Sequence, residues 1–167
     1  LSPNTDYDAG SVIVDAKPSV NGRVAKITIT PATGVVRIVN QSRTVPKGYS
    51  NTLKIKREYG TNKVIISGNV PLGSAGKKEW IAVSNPTAYA LDVFKRSLTS
   101  KGITFVSTSK VVSGKTPKNT RVLLSKKSMP LKDLMIPFLK LSNNTHAEVL
   151  AKEMGKVKYG EGSWDAG

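Results

Sequence analysis

Cysteine is absent from the 167 residues, which excludes disulfides, thiolate nucleophiles and Cys-ligated zinc. Histidine occurs once, as His146, so a multi-histidine metal site is excluded and a Ser-His-Asp triad would have to use that single ring. No apolar run approaches the roughly 18–20 residues that cross a bilayer. The opening Leu1-Ser2-Pro3-Asn4 has neither a basic nor an apolar leader region, so no signal peptide is expected within the chain. No internal repeat and no low-complexity tract is visible.

Acidic residues are also scarce, 11 against 26 Lys+Arg, for a formal charge of +15. The imbalance is local. Leu1 to Thr120 carries 18 basic and 6 acidic residues (+12), whereas Arg121 to Gly167 carries 8 and 5 (+3). A surface of that kind attracts polyanions: nucleic acid, anionic lipid or phosphate-rich wall polymer. Aromatics make up only 6% and mostly lie away from the lysine clusters, which argues against nucleic acid as the partner.

What is present reads as α+β. Six short stretches are rich in β-branched residues: 11–14, 24–30, 35–39, 52–56, 63–67 and 79–83. Turn residues separate them, among them Asn21-Gly22, Pro46-Lys47-Gly48 and Tyr59-Gly60. At Asn85-Pro86 the period changes to that of a helix. Asn85 suits the N-cap and Pro86 the first helical position, and Ala88, Leu91, Phe94 and Leu98 form an apolar stripe. Gly102 is placed to end the helix. Strands are expected at 103–106 and around Lys110-Val111-Val112, followed by a linker at 113–120 and a domain boundary near 120.

Beyond the linker the spacing is helical. Ser128 and Pro130 suit a helix start, and Leu131, Leu134, Met135 and Phe138 form a core-facing stripe interrupted late by Pro137. A second helix is expected from about Thr145, with Glu148 completing a capping box. Ala147, Leu150, Ala151 and Met154 would face inward and Gly155 would end it. Between the two helices stands Ser142-Asn143-Asn144. By composition alone this is a capping turn.

Its surroundings say more. Pro137-Phe138-Leu139-Lys140-Leu141-Ser142-Asn143-Asn144-Thr145-His146-Ala147-Glu148-Val149-Leu150 resembles the Ser-x-Asn signature of the D-alanyl-D-alanine carboxypeptidases of the class C penicillin-binding proteins. Asp6-Tyr7-Asp8-Ala9-Gly10, Trp80 through Ala90, and Gly160-Glu161-Gly162-Ser163-Trp164 are similar to that family as well, so the likeness spans most of the chain. The resemblance implies a penicillin-recognising domain interrupted by β-rich accessory domains, with residues 1–120 in the accessory part and 121–167 in the catalytic part. It implies a serine acyl-enzyme that cleaves stem peptides ending in D-Ala-D-Ala outside the cytoplasmic membrane. β-Lactams would inhibit it, and it would need no metal or organic cofactor. Ser142 would relay a proton to the leaving amine. Asn144 would accept from the catalytic lysine and donate to the substrate, and Asn143 would turn away from the pocket.

The family's other signatures do not fit here. Ser74-Ala75-Gly76-Lys77 and Ser107-Thr108-Ser109-Lys110 have the Ser-x-x-Lys spacing but not the helix start it requires, and Lys115-Thr116-Pro117 has proline where Lys-Thr-Gly has glycine. The chain is therefore expected to be a fragment that carries Ser-x-Asn without its nucleophile. His146 reads as a surface or capping residue, and Trp80 and Trp164 as packing residues. The rival reading is a non-catalytic basic module docking on anionic cell-wall polymer.

Overall fold

A computed structural model describes residues 10–106, 114–115 and 118–167, with the side chain of Leu141 left aside. The chain divides into two compact units, one of Gly10–Ser109 and one that includes Lys110–Gly167. In order, the elements are β1 (Ser11–Lys17), β2 (Lys26–Thr30), β3 (Arg37–Val45), β4 (Lys54–Arg57), β5 (Lys63–Pro71), β6 (Lys77–Ala82), α1 (Pro86–Ser100), α2 (Leu131–Leu141) and α3 (Asn144–Tyr159). The class is α+β. All six expected strands are present.

The first unit holds two three-stranded sheets. One has the order β2-β1-β6, with β1 antiparallel to both neighbours. The other has the order β3-β5-β4, with β3 and β5 parallel and β4 antiparallel to β5. Alternation decides which residues go inward. Val12, Val14 and Ala16 of β1 meet Ile55, Val64, Ile66 and Val70 of the other sheet in one buried cluster.

Helix α1 closes that core, but not with the stripe read from the sequence. Tyr89 is buried and Val93 packs beside it, whereas Leu91 and Phe94 are exposed. Polar contacts explain the choice of face. The Tyr89 hydroxyl donates to the Ser11 carbonyl at 2.9 Å, and one carboxylate oxygen of Asp92 accepts from the Thr33 hydroxyl (2.7 Å), the Gly34 amide (2.8 Å) and Arg96 Nε (2.9 Å). Rotating α1 to bury Phe94 would break the three that leave the helix, to Ser11, Thr33 and Gly34. The helix starts as expected, with Asn85 Oδ1 accepting from the Ala88 amide. It ends in a Schellman pair: Gly102, at φ 86°, donates to Thr99 and Ile103 donates to Leu98.

Partial burial raises the pKa of Asp92, but the donors from Gly34, Thr33 and Arg96 outweigh it and hold the carboxyl below the ordinary aspartate range. A depressed folded-state pKa stabilises above the unfolded value and loses that stabilisation as pH falls through the folded one. The urea midpoint is therefore expected to drop as pH is taken below about 4. Asp92→Asn should lower the midpoint at neutral pH and flatten the acid limb; an unchanged limb would remove Asp92 from the linkage.

Two expectations are corrected. Residues 103–106 form no strand: β-branched composition favours extended backbone, but nothing among the described residues pairs with them. The strand expected near Lys110 lies outside the described residues. Trp80 and Trp164, expected in the core or in interdomain packing, are not core residues, being 36% and 56% exposed. Trp80 shares with Lys78 the face of β6 that lies opposite the buried Ile81, and Trp164 lies under the Lys152 ammonium, 4.8 Å from the ring centroid.

Candidate functional site

The unit containing α2 and α3 positions the Ser-x-Asn turn. Helix α2 begins at Leu131 with Pro130 at its N-cap and no side-chain cap, so Ser128 does not serve there. It runs through Pro137, whose missing N–H leaves one carbonyl of the first turn without its intrahelical donor. Leu134, Met135 and Phe138 are half-buried, while Leu131 is exposed.

The reversal between the helices takes only two residues. Ser142 is the C-cap of α2 at φ 50°, ψ 52°, the only described non-glycine residue with positive φ. Its amide and that of Asn143 both donate to the Phe138 carbonyl, the latter at 3.3 Å. A serine held in the left-handed region costs about 1 kcal/mol relative to glycine. Strain of that kind is retained where the side chain is needed.

Asn143 is the N-cap of α3. Its Oδ1 accepts from the His146 amide at 3.0 Å, its carbonyl accepts from Ala147 at 3.2 Å, and the residue is 1% exposed. The capping box expected at Thr145 and Glu148 does not form, because the N-cap lies two residues earlier, at Asn143, and His146 occupies the third position. Burial of the middle residue leaves Ser142 and Asn144 exposed on either side of it. The buried cap fixes the backbone, and the two flanking polar side chains are presented outward from that rigid turn.

His146 is half-buried rather than on the surface, and its ring meets Phe138 edge-on at 6.4 Å and 65°. That contact ties the first turn of α3 to the last turn of α2 across the Ser142 corner.

Helix α3 does not stop at Gly155. It continues to Tyr159 and ends at Gly160, φ 77°. Gly155 serves packing instead: a Cβ there would lie 2.7 Å from the Ala166 carbonyl carbon and 2.8 Å from its Cβ. Of the side chains expected inward, Leu150 and Ala151 are half-buried, while Ala147 and Met154 are exposed. Sequence spacing could not show the face on which the 163–167 segment returns.

Ser74 and Lys77 lie at the β5–β6 turn, where the Ser74 amide donates to the Pro71 carbonyl at 3.1 Å and Lys77 pairs with Glu79 at 3.1 Å. The second Ser-x-x-Lys lies outside the described residues, as do Thr116 and Pro117. Among the described residues no group of three His, Asp or Glu side chains could hold a metal ion. None of the described helices is long and apolar enough to cross a membrane.

Two substitutions separate the structural and chemical parts of the turn. Asn143→Ala should cost about 1–2 kcal/mol through the lost cap. Ser142→Gly should leave stability unchanged or raise it by up to about 1 kcal/mol, since glycine relieves the left-handed strain. Urea denaturation reads both; a clear loss of stability in Ser142→Gly would mean that the hydroxyl holds the fold.

The sequence profile described as the D-Ala-D-Ala carboxypeptidase 3 (S13) family matches residues 3–167. A D-alanyl-D-alanine carboxypeptidase of Actinomadura sp. (strain R39) is 34% identical over 164 residues, covering 96% of this chain and 30% of the relative. Two crystal structures of penicillin binding protein 4 from Haemophilus influenzae share the fold. One, with a bound β-lactam, superposes at a TM-score of 0.59 and 22% identity over 93% of this chain and 35% of that one. The other superposes at 0.65 and 20% identity over 92% and 34%. The chain thus spans about a third of the length of the relatives it matches.

Proposed function

The chain belongs to the D-Ala-D-Ala carboxypeptidase 3 (S13) family, and we propose that it forms one wall of a serine-type D-Ala-D-Ala carboxypeptidase or endopeptidase acting on peptidoglycan stem peptides. The observation that carries this reading is the Ser142 corner: a strained serine and an exposed asparagine flank a buried cap, within a chain that matches the family over residues 3–167.

In this reading the nucleophilic serine and its lysine stand in a Ser-x-x-Lys segment outside these residues. The serine oxygen attacks the penultimate D-alanine carbonyl, and its proton passes to the lysine amine. As the peptide C–N bond breaks, the Ser142 hydroxyl hands a proton to the departing D-alanine amine and is re-protonated from the lysine. The Asn144 amide accepts from the lysine ammonium through Oδ1 and donates to a substrate backbone carbonyl through Nδ2. Water then hydrolyses the ester. β-Lactams enter by the same acylation and leave slowly, and no metal or cofactor takes part. Substrate location puts the enzyme outside the cytoplasmic membrane, at the cell wall.

The division into units supports a related domain assignment. Residues from about 121 onward belong to the penicillin-recognising domain and the β-rich residues before them to the inserted accessory domains, although the compact units divide at Ser109–Lys110. A free-standing polymer-binding module is the weaker alternative, since family membership extends over residues 3–167 and includes the Ser-x-Asn helices. The test is release of free D-alanine from a pentapeptide ending in D-Ala-D-Ala by the longer protein, abolished by benzylpenicillin. Absence of release with an intact penicillin adduct would point to transfer alone; absence of both would overturn the reading.

A further inference from the structure

The positive charge of the β-rich unit has a specific address. Residues 10–106 hold fifteen Lys+Arg and four Asp+Glu, and every one of those carboxylates is paired: Asp15 with Lys17, Glu58 with Lys63, Glu79 with Lys77 and Asp92 with Arg96. Directly paired residues of neighbouring strands lie on the same face of a sheet. The register pairs Arg37 with Lys63, Gln41 with Ser67 and Arg43 with Asn69 between β3 and β5. It pairs Lys54 with Ser67 and Lys56 with Ile65 between β4 and β5. The alternate residues of these strands, Ile55, Val64, Ile66 and Val70, are the ones in the core. One outer sheet face therefore carries Arg37, Arg43, Lys54, Lys56 and Lys63.

No carboxylate sits on the strands of that face. The one at its margin, Glu58, is held by Lys63 at 2.7 Å, a contact that lowers its pKa. The outer face of the β2-β1-β6 sheet differs, since there Lys17 and Lys78 flank Asp15. Lysines that serve only solubility are normally interspersed with acids, and protection of the two edge strands, β3 and β4, would not place Lys63 on the central strand β5. Strand geometry spaces Lys54 and Lys56 by about 7 Å and Arg37 and Arg43 by about 20 Å. A flat cationic surface of that size suits an extended chain of evenly spaced phosphates.

We infer that the outer face of the β3-β5-β4 sheet is a docking surface for a linear polyol-phosphate polymer of the cell wall. Gln41, Ser67 and Asn69 between the cations supply hydrogen bonds to hydroxyl and phosphate oxygens. The face carries no Phe, Tyr or Trp, so it has no platform for stacking bases. Its apolar members are Val39 and Ile65, which are half-buried, and Val45 and Pro71, which are buried, and they offer no anchor for a bilayer. The choice of a wall polymer rests on the wall-facing function above, while the binding itself needs no catalysis, so either can fail without the other.

The test titrates the chain with a glycerol-phosphate decamer, in parallel with a uridine decamer of RNA and with vesicles of phosphatidylglycerol and phosphatidylcholine. Expected is binding that prefers the glycerol-phosphate decamer. Arg43→Gln/Lys54→Gln/Lys56→Gln should weaken it at least tenfold and reduce the salt dependence by about two to three ions. A control of equal charge change, Lys26→Gln/Lys78→Gln/Lys101→Gln, should weaken it less than threefold; circular dichroism verifies that both variants fold. Equal loss in both variants would mean that net charge alone binds and would overturn the inference. So would tighter binding of the RNA or the vesicles through the same three residues.

Discussion

Replacing Asn144 by alanine in the longer enzyme is expected to slow acylation by a β-lactam at least about 100-fold, while leaving the fold intact. The size follows from the role proposed for the side chain. Removing one pre-organised donor from a water-excluded site costs on the order of 10²–10³ in rate, and Asn144 also removes an acceptor from the lysine. Stability should hardly change, because Asn144 is exposed at the first position of α3 and the cap beneath it is Asn143. Stopped-flow acylation together with a denaturation curve separates the two effects. Ser142→Ala should act on the later step: slower release of D-alanine, with penicillin acylation less affected. An unchanged acylation rate in Asn144→Ala would remove it from the site.

The largest structural effect is expected at Gly68, in the middle of β5. At φ 93° it is in the left-handed region, and a Cβ there would run into the Thr52 carbonyl oxygen, with the carbonyl carbon 2.9 Å away. Gly68→Ala adds backbone strain to a clash with main chain, each worth about 1–3 kcal/mol. A loss of about 3 kcal/mol or more is expected, enough to lower the melting temperature of a unit this size by more than 10 °C. Gly48→Ala is the control: its φ is 96° but nothing lies within 4 Å of the added methyl, so only the strain of about 1 kcal/mol applies. Similar melting temperatures for the two variants would show that the Thr52 contact is not tight.

The strands were legible because residues such as Val24 to Thr30 alternate cleanly and glycine or asparagine turns bound each run. Asn85-Pro86 marked the start of α1 for the same reason: the cap and the missing N–H are local chemistry. Features set by distant residues were not legible. The face α1 buries depends on Thr33 and Gly34 meeting Asp92, and the true end of α3 depends on Ala166 returning over Gly155. Residues 103–106 have strand composition without a strand, since composition does not supply a partner. At the site, the position of the turn was readable, but the cap was misplaced by two residues, at Thr145 rather than Asn143. Ser142, Asn143 and Asn144 are all plausible caps by type, and only burial of Asn143 selects among them. The strain at Ser142 had no signal beyond the absence of glycine where a helix ends in the left-handed region.

The placement of Ser142 and Asn144 on a pocket wall served by a serine elsewhere is tested most directly by mapping the penicillin adduct. The longer protein is labelled with benzylpenicillin, digested and sequenced by mass spectrometry, beside the 167-residue chain alone. Expected is one acylated serine in a Ser-x-x-Lys segment outside these residues, and no adduct on the chain alone. An adduct on Ser142 or Ser74, or stoichiometric labelling of the isolated chain, would contradict it.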